Sequence, residues 1–218
     1  MGEAPVALDL RSFWGEMGGP MMRHGWQIVI LIVSTLATTA CGNKNNNSSS
    51  SSVTRWQAFP VQIYTDPSVV KTAQDQADFS DAMAFWESKI GKKIFDYQGS
   101  WNGQTYSAGG SISQNSIYVP TQWTYATNIA AQTTVVSQGG NIQGAVIMVN
   151  SLTNFCNADC TGQETSTSMR KVFAHELGHF IGLSHVQDTG NIMYPSALPG
   201  GSLAGLTVDS AALLPLVQ

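Results

Sequence analysis

A glutamate and three histidines lie within a short stretch of the sequence, at His175, Glu176, His179 and His185. On a helix, His175 and His179 are four positions apart and project from one face, where two imidazoles can bind the same metal ion. Gly182 can adopt the left-handed conformation that ends a helix, so the chain can turn back and bring His185 to the other two. The spacing therefore predicts a three-histidine metal site.

The expected metal is one catalytic Zn²⁺ ion. Three protein ligands leave a coordination position open for water or substrate, which is the catalytic rather than the structural arrangement of zinc. Glu176 follows the first ligand directly and is placed to accept a proton from water rather than to coordinate. The alternative is an amphipathic helix with solvated histidines, but three of the chain's four histidines occupy the ligand positions.

A methionine turn follows the histidines, in the segment Asn191-Ile192-Met193-Tyr194-Pro195. The pattern HExxHxxGxxH followed by such a turn resembles the metzincin zinc endopeptidases, and Met-Tyr-Pro resembles their matrixin branch. The resemblance implies that Met193 forms a hydrophobic floor under the three histidines. It also implies that Tyr194 and Pro195 help to form the wall of the main specificity pocket.

The same resemblance implies an α+β fold, with a twisted mixed sheet, a long backing helix and an active-site helix. It places an extended substrate as an additional strand beside the edge strand predicted at residues 130–136. Apart from His24 in the predicted signal segment, no histidine remains for the second zinc ion that matrixins often carry, whereas calcium bound by carbonyl and carboxylate oxygens is compatible with the sequence. The upstream residues carry no cysteine-switch motif, so latency of the usual kind is not expected.

Composition favours one globular domain with appendages, since 43% of the 218 residues are hydrophobic and 11% are charged. We assign the catalytic domain to residues 56–218. The net charge is −4 and there is no run of lysine or arginine, so a nucleic-acid partner is not expected. The expected partner is a protein or peptide substrate, bound by a monomer.

Residues 1–41 are interpreted as a signal segment, with a true start near Met21 or Met22. A basic beginning and the apolar run 27–37 are typical of a secretory signal and too short to span a bilayer comfortably. The residues before Cys41 resemble a bacterial lipobox, although Thr38 stands where leucine is usual. We therefore expect lipidation of Cys41 and a membrane anchor, with ordinary signal cleavage as the alternative.

The segment 42–55 contains a run of asparagine and serine that is expected to form a flexible tether between the anchor and the domain. Gly42 is not the aspartate that retains some lipoproteins at the inner membrane, so we expect an exported envelope protein at the outer membrane or cell surface. Export permits disulfides, and Cys156 and Cys160 are expected to form one. A metal or redox pair and two free thiols are the alternatives.

Periodicity and turn residues predict the elements that must position the site. We expect strands at 60–64, 93–97, 116–119, 130–136 and 141–149, with a hairpin turn at 137–140, a long helix over 68–90 and a short one over 209–214. The active-site helix should be capped by Ser166, Thr167 or Ser168 and run to about Ile181.

The predicted function is hydrolysis of peptide bonds in proteins by an exported, lipid-anchored zinc endopeptidase. One alternative is a zinc-binding envelope lipoprotein that binds peptides without cleaving them. Another is a metallohydrolase that acts on a non-protein envelope substrate. The intact Glu176 argues against the first and the matrixin-like segment Met193-Tyr194-Pro195 argues against the second.

Overall fold

A computed structural model of the protein describes residues 54–101, 112–163, 165–196 and 200–213. The predicted signal segment with Cys41, and tether residues 42–53, lie outside the described residues. Within the described part, the α+β fold class is confirmed. No helix among the described residues is long and apolar enough to cross a bilayer.

The domain consists of a five-stranded mixed sheet, two larger helices, a small two-stranded sheet and a short carboxyl-terminal helix. In chain order the elements are β1 (Val61–Thr65), α1 (Ala73–Ile90), β2 (Phe95–Ser100), β3 (Ser116–Tyr118), β4 (Ala131–Gln138), β5 (Asn141–Val149), β6 (Phe155–Cys156), β7 (Thr167–Ser168), α2 (Met169–Phe180) and α3 (Ser210–Leu213). The large sheet has the order β2-β1-β3-β5-β4, in which only the β4–β5 pairing is antiparallel. Strand β4 is therefore an edge strand, as predicted.

Helix α1 begins at Ala73, later than the predicted start at 68. The carboxylate of Asp66 accepts a hydrogen bond from the Ser68 N–H at 2.7 Å and holds a turn there. The helix instead starts at a capping box, in which the Thr72 hydroxyl accepts from the Asp75 N–H and the Asp75 carboxylate accepts from the Thr72 N–H. At the other end, the predicted stop at Gly91 is confirmed.

The β4–β5 hairpin turns at Gly139 and Gly140, with φ values of 59° and 79°. Two successive positive φ angles form the type I′ geometry that suits the twist of antiparallel strands, and glycine adopts them without strain. The predicted hairpin is confirmed. Its antiparallel return places β4 on the outside of β5, where one edge of β4 faces away from the rest of the sheet.

Helix α2 contacts both α1 and strands β4 and β5 of the sheet, and it is fixed by both. The Ser168 hydroxyl accepts a hydrogen bond from the Lys171 N–H and so caps the first turn, which selects one of the three predicted caps. From α1, the Trp86 indole N–H donates to the Ala174 carbonyl oxygen at 2.7 Å, in the buried core. Because this bond joins the carboxyl-terminal half of α1 to the middle of α2, it sets the depth of α2 against α1.

The loop before α2 contains a disulfide between Cys156 and Cys160. The carboxylate of Asp78 on α1, fully buried, accepts from the loop N–H of Ala158 and is 3.0 Å from the guanidinium of Arg170 on α2. A buried carboxylate needs such partners because its charge is otherwise costly to desolvate. The disulfide loop, α1 and the first turn of α2 are thus held together at one buried charge.

Residues 54–56 lie against the end of α2. The Trp56 indole N–H donates to the Phe180 carbonyl oxygen at 2.9 Å, and the two rings stack with centroids 5.4 Å apart. Arg55 joins the hairpin through backbone hydrogen bonds with Gly140 and Ile142. The described chain therefore begins in direct contact with the active-site helix.

Candidate metal centre

The three predicted ligands converge. The Nε2 atoms of His175, His179 and His185 are 3.0–3.1 Å apart in all three pairs. Zinc–nitrogen bonds of about 2.0–2.1 Å in a tetrahedral site would separate the ligand nitrogens by only a few tenths of an ångström more. The donor set and its spacing therefore fit a zinc ion bound by three histidines.

Backbone carbonyls orient two of the imidazoles from behind. Nδ1 of His175 is 2.7 Å from the Ile192 carbonyl oxygen, and Nδ1 of His179 is 2.8 Å from the Leu183 carbonyl oxygen. A carbonyl can only accept, so each Nδ1 carries the proton and each Nε2 presents a lone pair. Such outer partners fix the tautomer that a metal needs.

Burial keeps these imidazoles neutral. It lowers the pKa of His175 to about 4, assisted by the neighbouring His185, and it also lowers the pKa of His179 and of His185. Only a neutral imidazole can bind a metal through Nε2. The site is therefore ready to bind a cation at neutral pH without first losing protons.

Gly182 produces the turn that brings the third histidine to the first two. Its φ is 104°, and a Cβ atom there would lie 2.1 Å from the carbonyl oxygen of Thr54. The Leu183 N–H donates to the Gly178 carbonyl oxygen at 3.0 Å, which closes the turn after α2. Both the backbone conformation and the contact with Thr54 exclude a side chain at this position.

Glu176 is buried beside the histidines, with 6% of its surface exposed. Burial raises the pKa of its carboxyl group, while His179 and a hydrogen bond from Thr133 act in the opposite direction. The Thr133 hydroxyl on β4 is 2.5 Å from Oε2 of Glu176 and 3.1 Å from its carbonyl oxygen. Thr133 was not among the site residues predicted from the sequence. The signal that could have identified it is the alternation of side chains in the predicted edge strand, which directs one of its two adjacent threonines towards α2.

The methionine turn packs directly under α2. Met193 is 2% exposed, and its N–H donates to the Asn191 side-chain oxygen while its carbonyl accepts from the Val186 N–H. Tyr194 is half-buried and Pro195 is exposed. The packing of Met193 agrees with a floor, whereas the pocket-wall role of Tyr194 and Pro195 remains a prediction.

The matrixin family model for peptidases matches residues 57–209, which is more than half of the chain. The chain belongs to the matrixin family. The predicted resemblance is confirmed, and the matched region includes the three histidines, Glu176 and the methionine turn.

Short segments of this matrixin are also similar to curated proteins. Matrix metalloproteinase-21 of Cynops pyrrhogaster is 47% identical over 46 residues, which are 21% of this chain and 7% of that protein. Metalloendoproteinase 1-MMP of Arabidopsis thaliana is 39% identical over 49 residues, 22% of this chain and 14% of that protein. Matrix metalloproteinase-21 of Xenopus laevis is 49% identical over 39 residues, 18% of this chain and 6% of that protein. The chain thus matches only a small part of the length of these relatives.

The metal-free matrixin is expected to lose stability as the pH falls from 6.5 towards 4. In this range the unfolded chain protonates His175 at its ordinary pKa of 6.5, whereas the folded chain, with a pKa of about 4, does not. The unfolded state binds more protons, so the free energy of unfolding decreases on acidification. Urea denaturation of the chelator-treated protein at pH 7 and pH 5 measures this change.

The matched control for that experiment is His175→Gln, which cannot titrate and should show a smaller decrease between the two pH values. Glu176 contributes with the opposite sign, because its raised pKa makes the folded state the better proton acceptor. An equal decrease in the parent protein and the His175→Gln variant would contradict the account of His175.

Replacing Gly178 by alanine is expected to destabilise this matrixin, against the usual preference of helices for alanine. A Cβ at Gly178 would lie 2.2 Å from the Met193 sulfur and 2.7 Å from Cζ2 of Trp86. Helix propensity favours alanine by about 1 kcal/mol, but overpacking a core costs typically about 1–3 kcal/mol and here also displaces the methionine turn. Thermal unfolding and zinc affinity should both fall.

Gly190→Ala is the control for this substitution, since the nearest atom to an added Cβ there is 3.5 Å away. That variant should unfold close to the parent temperature. A Gly178→Ala protein that is more stable than the parent would contradict this prediction, because it would show that Met193 can move away from the added methyl group at little cost in free energy.

Proposed function

We propose that this matrixin is a zinc-dependent endopeptidase that hydrolyses peptide bonds in proteins. The single observation that carries the proposal is the convergence of three Nε2 atoms, two from α2 and one from the turn after it, beside the buried carboxylate of Glu176. Three neutral ligands and one carboxylate that does not coordinate are the parts needed for metal-assisted hydrolysis. Family membership supports the choice of a peptide bond as the target.

His175, His179 and His185 would hold the zinc ion. When bound, zinc polarises the scissile carbonyl and lowers the pKa of water. Glu176 accepts the proton of the attacking water and then delivers it to the leaving amine, which is general base followed by general acid catalysis. Its raised pKa suits the first of these steps, since a carboxylate of higher pKa is the stronger base towards the water proton.

Strand β4 supports an extended mode of substrate binding. It forms the edge of the sheet, and Thr133 in its first half contacts Glu176. A peptide that pairs with the outer edge of β4 would place its backbone along the strand and one of its carbonyls beside the histidines. Backbone pairing gives affinity with little demand on sequence, so side-chain preference would come from residues outside this strand.

The test is to incubate the purified protein with a diverse peptide library and identify the products by mass spectrometry. We expect internal cleavage that stops on chelation, returns with Zn²⁺ and is absent from the Glu176→Gln protein. Stoichiometric zinc without cleavage of any peptide would overturn the proposal and favour a zinc-binding protein. Cleavage that persists in the chelated protein would exclude the metal from the reaction.

We also propose that the protein is exported and anchored by a lipid at Cys41. The proposal rests on the apolar run, the Ala40-Cys41 junction and the polar tether that follows. Mass spectrometry of the protein from its native membrane is expected to find a diacyl or triacyl group on Cys41. Cys41→Ser is the matched variant, and a mature terminus at another residue in the parent protein would exclude the anchor.

A further inference from the structure

The hydroxyl group of Thr133, on the edge strand β4, contacts the side chain of Glu176, which is the general base of the proposed reaction. Oγ1 of Thr133 lies 2.5 Å from Oε2 of Glu176, and this is the side-chain hydrogen bond that the carboxylate makes within the described part of the chain. An O–H to carboxylate bond of this length is charge-assisted and stronger than a bond between neutral groups. It therefore restricts the rotation of the buried Glu176 carboxylate.

The same hydroxyl has a second acceptor within reach, the carbonyl oxygen of Glu176 at 3.1 Å. A threonine hydroxyl has one proton and two lone pairs, so it can donate to only one acceptor at a time. The carboxylate oxygen is the nearer of the two acceptors, so the hydroxyl proton is directed to Oε2.

The neighbouring Thr134 provides an internal comparison. In β4, Thr133 pairs with Ile147 and Thr134 pairs with Val146 of β5. Successive residues of a strand point to opposite faces, so Thr134 points away from α2. Both threonines are half-buried, which makes them a matched pair for substitution.

We propose that Thr133 is a positioning residue that holds the Glu176 carboxylate beside the metal site from the strand on which the substrate lies. The inference rests on the proposed function, because it assigns Thr133 a part in the same site. It also links two events, since a peptide that pairs with β4 would contact the strand that positions the base. Thr133 itself does not touch the reacting atoms.

The first test compares Thr133→Val, Thr133→Ser and Thr134→Val in the zinc-loaded protein. Valine keeps the shape of threonine without the hydroxyl, so we expect kcat to fall about 10- to 100-fold, as for a misplaced catalytic group, with KM and zinc content close to parent values. Thr133→Ser should recover most of the loss. Thr134→Val should stay near the parent rate, and in the Glu176→Gln background Thr133→Val should have no further effect.

Equal losses in Thr133→Val and Thr134→Val, or a loss confined to KM, would overturn the proposal. So would a serine variant as slow as the valine variant. If Thr133→Val does not fold, Thr133→Ala takes its place and is compared with Thr134→Ala.

The second test separates this inference from the proposed function. Crystal structures of the zinc-loaded parent and of Thr133→Val should show the Glu176 carboxylate in one orientation in the parent and displaced or in several orientations in the variant. An identical carboxylate position in both would overturn the inference, whether or not the protein cleaves peptides. A parent protein that cleaves nothing but shows the displacement would remove the proposed function and keep the positioning role.

Discussion

Glu176→Gln protein is expected to bind zinc and peptide like the parent and to hydrolyse peptides about 10²–10⁴-fold more slowly. Glutamine keeps the size and the hydrogen-bonding oxygen of the side chain but cannot accept and return a proton at the pH of the reaction. Because the three histidines do not depend on the carboxylate, the metal should stay in place. Steady-state kinetics on one peptide, together with zinc analysis of the same sample, measures both parts.

Glu87→Gln is the matched control, since it makes the same chemical change in the last turn of α1. Its Oε1 accepts the N–H groups of Ile94 and Phe95, which a glutamine oxygen can still accept. This variant should therefore keep the parent rate. A Glu176→Gln protein that retains zinc and a normal rate would refute the role of Glu176 as the base.

Substitution of any one of the three histidines by alanine is expected to remove most of the zinc. Two imidazoles bind zinc far more weakly than three, and the affinity should fall by more than the roughly 10- to 100-fold that loss of an outer partner costs. Activity should disappear with the metal. Equilibrium dialysis against a zinc buffer measures the affinity, and Ser184→Ala, at an exposed position beside His185, is the control.

The histidine variants and the Glu176→Gln variant should therefore lose activity for different reasons. The histidine variants should lose the zinc ion, whereas the Glu176→Gln protein should keep the zinc ion but hydrolyse peptides slowly. Among the ligands, His175→Ala also leaves the Ile192 carbonyl without its partner, so this variant should lose some stability of the methionine turn as well. A histidine variant with parental zinc affinity would mean that the residue is not a ligand.

The sequence predicted the ligand set because its information is local. His175 and His179 occupy one helix turn, and the turn at Gly182 needs a residue that accepts a positive φ. The hairpin at Gly139 and Gly140 was predictable for the same reason. In each case, neighbours in the sequence are sufficient to determine the geometry.

The contacts that adjust the site were not predictable because they join distant segments. Thr133 reaches Glu176 across 43 positions, and Asp78 reaches Arg170 across 92. Glycine is unfavourable by propensity at Gly178 in the helix, and only the folded structure brings the Met193 sulfur beside it. Pattern and propensity carry no information on which side chains meet across a fold.

The predicted start of α1 was wrong for a different reason. Apolar periodicity extends back to residue 70. However, the Asp66 side chain accepts a backbone hydrogen bond in a turn before the helix, and the Thr72 side chain caps the helix at Ala73. The sequence contains these two side chains, but as a sequence signal they are weaker than the apolar pattern, which predicts a longer helix.

The contacts of residues 54–56 decide where a shortened form of the protein can be made to begin. A recombinant domain that starts after Trp56 would lack the backbone pairing of Arg55 with the hairpin and would uncover both Phe180 and Gly182. The helix carrying two of the ligands would then end in solvent rather than against an indole. A soluble version for crystallisation should accordingly retain these three residues, although Thr54 and Arg55 lie in the segment predicted to be a tether.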